Sequence, residues 1–163
     1  MSDVRAFGAS GDGTTDDTDA VLRALEEGDG VLSFPRGDYL LTRPVEIDLH
    51  RFGRVGIEGA VGTGKVVMGG PGPAFHLKGS HGRSADPKHF DPGVWAGERL
   101  PTVLNLEIEG RHPKADGFLV EGTMLAQSGE ALQVRAREHG SWRVAGSPAW
   151  PAFFVRFGLR RLV

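Results

Sequence analysis

The sequence predicts an all-β solenoid that begins with a single α-helix. Short apolar segments are separated by Gly or Pro at nearly every junction, and 25 Gly and 10 Pro make up about a fifth of the 163 residues, a high share for a globular domain. Three segments end in an apolar residue, an acid and a glycine, at 57–59, 108–110 and 120–122. Repeated short strands closed by glycine suit a fold in which each coil buries its inward side chains against its neighbours. With three strands per coil, we expect about four or five coils of roughly 20–25 residues.

The helix is predicted over residues 16–27. Thr15 is the expected N-cap, because its hydroxyl can accept hydrogen bonds from the free N–H groups of the first turn. Acidic residues then lie at the positive end of the helix dipole, and Gly28 stops the helix. These acids are Asp16, Asp17 and Asp19, and the apolar stripe consists of Ala20, Val21, Ala24 and Leu25.

The strands follow the helix in a regular series. They are predicted at 31–34, 39–42, 45–49, 55–59, 65–68, 74–79, 102–108 and 117–120, on the basis of apolar or alternating segments bounded by turn residues. A β-sandwich would also explain these strands, but it would not explain a helix placed before them.

Three ordered motifs make the N-terminal part similar to a known superfamily. The segments 7–9 (Phe-Gly-Ala), 12–18 (Asp-Gly-Thr-Thr-Asp-Asp-Thr) and 34–39 (Phe-Pro-Arg-Gly-Asp-Tyr) together resemble the N-terminal segment of the pectate lyase superfamily, over about residues 4–47. The resemblance implies a short right-handed parallel β-helix with an N-terminal capping helix. It also implies a capping role for Asp12, Gly13, Thr15, Asp16, Asp17 and Thr18, with catalytic residues on later coils.

Two units are predicted: residues 1–134 as the cap and first coils, and residues 135–163 as an atypical basic, aromatic tail. The tail carries six arginines against one acid, Glu138. It is either a plug, a cap or an oligomer surface, or a region where the native coils are lost through truncation or an out-of-frame sequence. Both interpretations stay open from the sequence.

The long polar interruption at 80–101 is the place where a site is expected. Carboxylates from this loop could form the pair that glycosidic cleavage requires, an indole could stack on a sugar ring, and imidazoles could bind substrate. The candidates are Asp86, Asp91 and Glu98 for catalysis and Trp95, His89 and His81 for substrate binding. A solvated loop without a site is the alternative.

Other motifs are weaker. The segment 59–65 matches a phosphate-binding loop as far as Lys65, but Val66 follows where Mg²⁺ binding needs Ser or Thr, so a β-helix turn is expected and nucleotide binding is not. Glu58, Glu109 and Glu121 could form an exposed acidic ladder or could be solvent-facing strand ends. His76 is expected on the surface.

Composition narrows the functional classes. A formal charge of −2 gives no reason to expect nucleic acid as a partner, and without cysteine a thiolate metal site is excluded. No signal peptide is visible and no segment is apolar enough to cross a membrane, so the compartment stays unassigned. No metal or cofactor is predicted, although the resemblance makes Ca²⁺ conceivable.

The resemblance makes polysaccharide the expected partner. Neither the paired aspartates with a Gly-His-Gly turn typical of the superfamily's hydrolases nor the basic residues and Ca²⁺-binding acids of its lyases are found. The prediction is therefore the N-terminal part of a polysaccharide-acting or polysaccharide-binding protein that is not catalytic alone. The alternatives are a structural, receptor-binding tailspike-like β-helix, for which an oligomer is possible, and a truncated remnant without activity.

Overall fold

The computed structural model describes residues 1–80, 92–98 and 101–122, together with three short strands further along the chain. For Trp95 and for these three strands it describes the backbone and not the side chains. In the described residues, fourteen strands fall into three sheets, which we name A, B and C. Sheet A contains β1 (Ser2–Asp3), β3 (Val31–Phe34), β6 (Gly56–Gly59), β9 (Thr102–Leu104) and β12 (Gln127–Ser128). Sheet B contains β2 (Asp12–Asp16), β4 (Gly37–Leu41), β7 (Gly64–Met68), β10 (Glu107–Gly110) and β13 (Gln133–Ala136). Sheet C contains β5 (Val45–Asp48), β8 (Gly72–Lys78), β11 (Ala115–Glu121) and β14 (Arg143–Val144).

The chain visits the sheets in the order A, B, C and then returns to A one coil further along. Every strand pair in the described part of the chain is parallel. Parallel neighbours one coil apart are the defining property of a parallel β-helix, so the predicted all-β solenoid is confirmed. In the first coil, a helix follows β2 at the point where later coils place a strand of sheet C.

Three α-helices precede strands of sheet A. They are α1 (Thr18–Glu27), α2 (Leu49–Phe52) and α3 (Pro92–Gly97), and a 3-10 helix covers Val4–Phe7. Helices α2 and α3 lie at successive corners between sheet C and sheet A, and Arg51 of α2 bonds Glu26 of α1 at 3.3 Å. None of the described helices has the length and apolar character needed to cross a bilayer.

The core consists of inward side chains stacked in register from coil to coil. In sheet A, Leu32 pairs with Ile57 and Ile57 with Val103. In sheet B, Val66 lies between Tyr39 and Ile108. These inward residues are at most 6% exposed, because each is covered by its equivalents above and below and by the two other sheets.

An aromatic cluster joins the three sheets at the centre. Phe75 of β8 stacks on Phe118 of β11 with ring centroids 5.3 Å apart, and the edge of Phe34 meets Phe75 at 5.9 Å. Phe34 also contacts Tyr39 of sheet B edge to face, at 5.3 Å. Phe34 and Tyr39 come from the motif at 34–39, so that motif supplies central core residues.

Helix α1 differs from its prediction at the start and agrees with it at the end. It ends at Glu27, before Gly28, as predicted, but it begins at Thr18, and Asp17 holds the N-cap position. The prediction of Thr15 as N-cap is wrong, since Thr15 lies in β2 and its hydroxyl donates to Asp12 Oδ2 at 2.8 Å. Strand pairing of β2 with β4 delays the helix by two residues.

The acidic motif instead fastens the first coil to the second. The Asp16 carboxylate accepts hydrogen bonds from the hydroxyls of Thr18 and Thr42, and Thr18 Oγ1 accepts from Thr42 N at 3.1 Å. Asp17, 1% exposed, accepts from the backbone N–H groups of Ser10 and Gly11 at 2.6 and 3.0 Å. The backbone N–H groups of Ser10 and Gly11 are thereby satisfied by a buried side chain.

Three further expectations need correction or comment. The strand predicted over 102–108 is two strands, because Asn105 turns the chain from sheet A to sheet B with a left-handed φ of +54°. Segment 60–63 is the turn between β6 and β7, as expected for a β-helix corner. Strand β13 pairs with β10 and β14 pairs with β11, and the division at residue 134 stays a prediction.

Of the two interpretations of Glu58, Glu109 and Glu121, the acidic ladder is wrong. Glu58 lies in sheet A, Glu109 in sheet B and Glu121 in sheet C. Residues at the same phase of the sequence repeat therefore face three different directions. A ladder requires residues that pair within one sheet.

We expect Phe75→Ala to lower the free energy of unfolding by about 3–5 kcal/mol, because it removes a fully buried ring that contacts two others. Urea denaturation followed by circular dichroism measures the change. Val61→Ala, at a side chain 75% exposed, is the control and should stay within about 0.5 kcal/mol of the parent. Equal effects of the two substitutions would contradict the central position of Phe75.

Candidate functional site

The outer face of sheet B carries a line of charged side chains, one from each of three successive coils. Asp38 of β4 pairs in register with Lys65 of β7, and Lys65 pairs with Glu107 of β10. We call these three residues the polar row. Their neighbours in sequence, such as Tyr39 and Val66, point into the core, so the alternation of a strand places the row outside.

Lys65 is the centre of this surface. Its ammonium lies 2.7 Å from Asp38 Oδ2 and 3.3 Å from Glu109 Oε2, and its side chain is only 21% exposed. The hydrogen bond to Asp38, followed by that to Glu109, raises the pKa of Lys65 above its ordinary value and outweighs the opposing effect of burial. Lys65 therefore remains a cation at neutral pH.

Glu109 joins the row to a second cation. Its Oε1 accepts from Arg111 Nε at 3.2 Å, and the Glu109 side chain is 18% exposed. Burial pushes the pKa of Glu109 up, but the hydrogen bonds from Arg111 and Lys65 outweigh it and hold the pKa below its ordinary value. The result is a recessed network of fixed opposite charges.

Sheet C carries a comparable but more exposed set. Asp48, Lys78 and Glu121 pair in register across three coils, and His76 Nε2 lies 2.8 Å from Glu121 Oε2. The His76 side chain is 16% exposed, so the expected surface histidine is in fact largely covered. Asp48 and Lys78 are exposed.

Glu98, the one loop carboxylate candidate in the described part of the chain, is a buried anchor. It is 4% exposed and accepts from Ser80 N and Ser80 Oγ, both at 2.7 Å. His50 Nδ1 of α2 lies 3.0 Å from the same carboxylate. Burial alone would raise the pKa of Glu98, but these hydrogen bonds outweigh it and lower the pKa. The Glu98 carboxylate therefore links Ser80, which follows β8, to His50 of α2 in the neighbouring coil.

The other loop candidates are not brought together in the described structure. Trp95 lies on α3, and its side chain is not described. Asp86, Asp91, His81 and His89 lie outside the described residues. Their proposed roles in catalysis and substrate binding therefore stay predictions.

Metal binding has no support within the described ranges. Among those residues no group of three or more His, Asp or Glu side chains is arranged to hold a metal ion. Asp12, one of the aspartates expected to have a capping role, accepts from the backbone N–H groups of Thr14 and Thr15 at 2.8 and 2.7 Å. These hydrogen bonds, that to Thr15 first, hold the pKa of Asp12 well below its ordinary value.

Sequence analysis missed the polar row, although a signal was present. Lys65 was considered only as the end of a phosphate-loop pattern, and Asp38 only as part of the motif at 34–39. Once β4, β7 and β10 are aligned on their buried residues, their outward positions read acid, lysine, acid. The missing information was the register, which the irregular coil lengths conceal: 27 residues separate Asp38 from Lys65, but 42 separate Lys65 from Glu107.

Comparison with protein families finds one family model that is similar to the N-terminal part of the chain. Residues 1–67 match the model of the family described as rhamnogalacturonase A/epimerase, pectate lyase-like. This match covers β1 to the middle of β7, including all three motifs of the sequence analysis. No curated protein matches the chain.

Solved structures share the fold at low sequence identity. The ORF18 protein of Geobacillus virus E2 has 21% identity and a TM-score of 0.61 over 82% of this chain and 25% of its own. The A-module of mannuronan C-5 epimerase AlgE4 from Azotobacter vinelandii has 18% identity and a TM-score of 0.57 over 81% of this chain and 37% of its own. The AlgE6 A-module from the same organism has 20% identity and a TM-score of 0.51, covering 83% and 38%. The chain thus spans less than two fifths of each of these structures.

We predict that Glu98→Gln destabilises the protein by about 1–3 kcal/mol at neutral pH, because a buried ionised acceptor of several hydrogen bonds is lost. The folded-state pKa of Glu98 lies below its ordinary value of 4.5, so its stabilisation is fully present above pH 4.5 and is lost as the pH falls through the folded-state pKa. Urea denaturation should therefore show the difference between parent and variant shrinking below pH 4.5.

Glu26→Gln is the matched control for this experiment. Glu26 is 53% exposed and paired with an equally accessible Arg51, so the change should be at most about 1 kcal/mol. A parent–variant difference for Glu98→Gln that stays constant from pH 7 to pH 3 would show that the carboxylate is not held in its ionised form.

Proposed function

We propose that this chain, a pectate-lyase-like parallel β-helix, binds polysaccharide along the outer face of sheet B. The observation that carries the proposal is the polar row, which presents one charged group from each of three successive coils in register. The match of residues 1–67 to a family described as rhamnogalacturonase A/epimerase supports carbohydrate as the class of ligand.

The spacing of the row favours an extended, repetitive ligand. Adjacent strands of a sheet lie about 4.8 Å apart, so the row offers a contact at each such step along the axis of the β-helix. A polymer lying along this axis meets a charged group at each coil. A small compact ligand would instead need a closed pocket that buries most of its surface.

The chemistry of the row suits sugar hydroxyls and carboxylates. Asp38 and Glu107 supply acceptors, and Lys65 supplies a charged donor. The Asp38 side chain is 42% exposed and the Lys65 side chain 21%, so Asp38 is open to a ligand and Lys65 is recessed but still accessible. Hydrogen bonds to ionised groups are the strongest that such a surface can offer.

The same charges favour binding over proton transfer within this cluster. A general acid or base works best with a pKa near the operating pH. The pKa of Lys65 is raised and that of Glu109 is lowered, so both move away from neutrality. The cluster is therefore suited to holding a glycan and unsuited to abstracting its protons.

The names of the relatives supply the probes. The family description names a rhamnogalacturonase, and two of the similar structures are mannuronan epimerases. We propose oligosaccharides of rhamnogalacturonan and mannuronan as first ligands for this surface. Both are fragments of extended polymers, as the geometry of the row requires.

We expect Lys65→Gln to weaken binding of the preferred oligosaccharide by about tenfold to a hundredfold, the loss of one hydrogen bond to a charged group. Isothermal titration calorimetry measures the dissociation constants. Lys65→Arg keeps the positive charge and should retain most of the affinity.

Lys78→Gln is the matched control, because Lys78 also lies between two acids in register, Asp48 and Glu121, but on sheet C. It should leave the affinity unchanged. Equal losses in both lysine variants, or binding that survives Lys65→Gln intact, would reject sheet B as the contact surface. Unfolding curves of all variants establish that each is folded under the conditions of titration.

A further inference from the structure

Strand β2 contains a bulge at the first-coil end of sheet B. Asp12 pairs with Asp38 and Asp16 with Leu40, so residues 13–15 stand opposite a single residue of β4. Two residues are therefore in excess, and Gly13 takes a left-handed φ of +75° to accommodate them. The Asp12 carboxylate fixes the shape of the bulge by accepting from Thr14 N, Thr15 N and Thr15 Oγ1.

The bulge lies against the outer face of the sheet. A Cβ atom at Gly13 would be 3.2 Å from Asp38 Cβ, and Asp38 belongs to the polar row. The carbonyl oxygen of Gly13 accepts from Arg111 Nη1 at 3.1 Å. Arg111 directly follows β10, and the order of sheet B places β7 and β4 between β10 and β2.

The contact between Arg111 and Gly13 must therefore cross over two intervening strands. Arg111 and the bulge reach toward each other from the fourth and the first coil, on the outside of the sheet. Arg111 Nε also lies 3.2 Å from Glu109 Oε1. This ion pair fixes the guanidinium group on the side of β10. We call the Asp12–Thr15 bulge and Arg111 together the strap.

The burial of Val67 shows what the strap covers. Val67 occupies an outward position between Leu40 and Glu109 in register, and the core cluster does not include it. It is nevertheless fully buried, at 0% exposure. An outward valine in the middle of a β-helix sheet is inaccessible only if something lies over it, and the strap passes over its strand.

We propose that Arg111 is a positioning residue that holds the strap as an end wall of the polysaccharide-binding row. This inference rests on the proposed function. The wall confines a glycan to coils two to four, alongside Asp38, Lys65 and Glu107. It excludes the glycan from the apolar surface of Leu40 and Val67 and from β2, and so limits the number of sugar residues that contribute to affinity.

The test is the dependence of affinity on oligosaccharide length. Mannuronan or rhamnogalacturonan oligosaccharides of two to eight residues, whichever series the parent protein binds, are titrated calorimetrically into the parent and Arg111→Ala. The parent affinity should reach a plateau. In Arg111→Ala the affinity should continue to rise beyond that length by roughly fivefold, the gain expected from about one more hydrogen bond.

Two further variants separate a wall from general destabilisation. Arg23→Ala removes an arginine that likewise donates to a backbone carbonyl, that of Phe7, at 3.1 and 2.7 Å, and it should leave the plateau unchanged. Arg111→Lys keeps the charge but cannot present two donors in a fixed fork, so it should behave like Arg111→Ala. Hydrogen exchange should show faster exchange of Thr14 and Thr15 amides in both Arg111 variants.

The outcomes distinguish the two proposals. Binding that depends on Lys65 together with an unchanged plateau in Arg111→Ala overturns the end wall and leaves the proposed function intact. A parent protein that binds neither oligosaccharide series, or binds them independently of Lys65, overturns both. If Arg111→Ala does not fold, Arg111→Lys and the exchange measurement decide the question.

Discussion

The structure depends on one constraint, which is that every coil must stack in register on the coil before it. Inward residues such as Leu32, Ile57 and Val103 form continuous columns, and each is buried by its counterparts above and below. A single coil could not bury these side chains alone, so stability resides in the contacts between coils. The same register aligns outward residues, and it therefore creates the polar row as a direct consequence of the fold.

The acidic motif fastens the first described coil to the second. Asp16 accepts from the Thr42 hydroxyl and Asp17 from the backbone N–H groups of Ser10 and Gly11, while α1 stands where later coils place a strand of sheet C. Asp12 shapes the bulge that reaches over sheet B. One short stretch of sequence thus serves both the contacts between these coils and the edge of the candidate binding surface.

Local features of the fold could be predicted from the sequence because they depend on neighbouring residues. Strand 31–34 agrees to the residue, and the end of α1 follows from Gly28. The N-cap could not be predicted, because Thr15 is drawn into β2 by pairing with a strand of the next coil. The single strand expected over 102–108 failed for a similar reason, since only the three-sheet geometry requires a corner at Asn105.

The candidate site depended on information that a single sequence does not carry. Arg111 and Gly13 are 98 residues apart, and no local pattern connects them. Glu58, Glu109 and Glu121 occupy the same position in a short sequence repeat, but they lie in three different sheets. The sequence therefore showed the repeat but did not show which of its members are neighbours in space. Unequal coil lengths hide the register, and the register alone decides which outward side chains become neighbours.

Chemical-shift mapping tests the central claim most directly. The amide spectrum of the uniformly ¹⁵N-labelled chain is recorded during titration with mannuronan and rhamnogalacturonan oligosaccharides. The account predicts that the perturbed amides cluster on β4, β7 and β10, around Asp38 and Lys65, while β5, β8 and β11 remain unchanged. Perturbations confined to sheet C, or to the corner formed by α2 and α3, would contradict it.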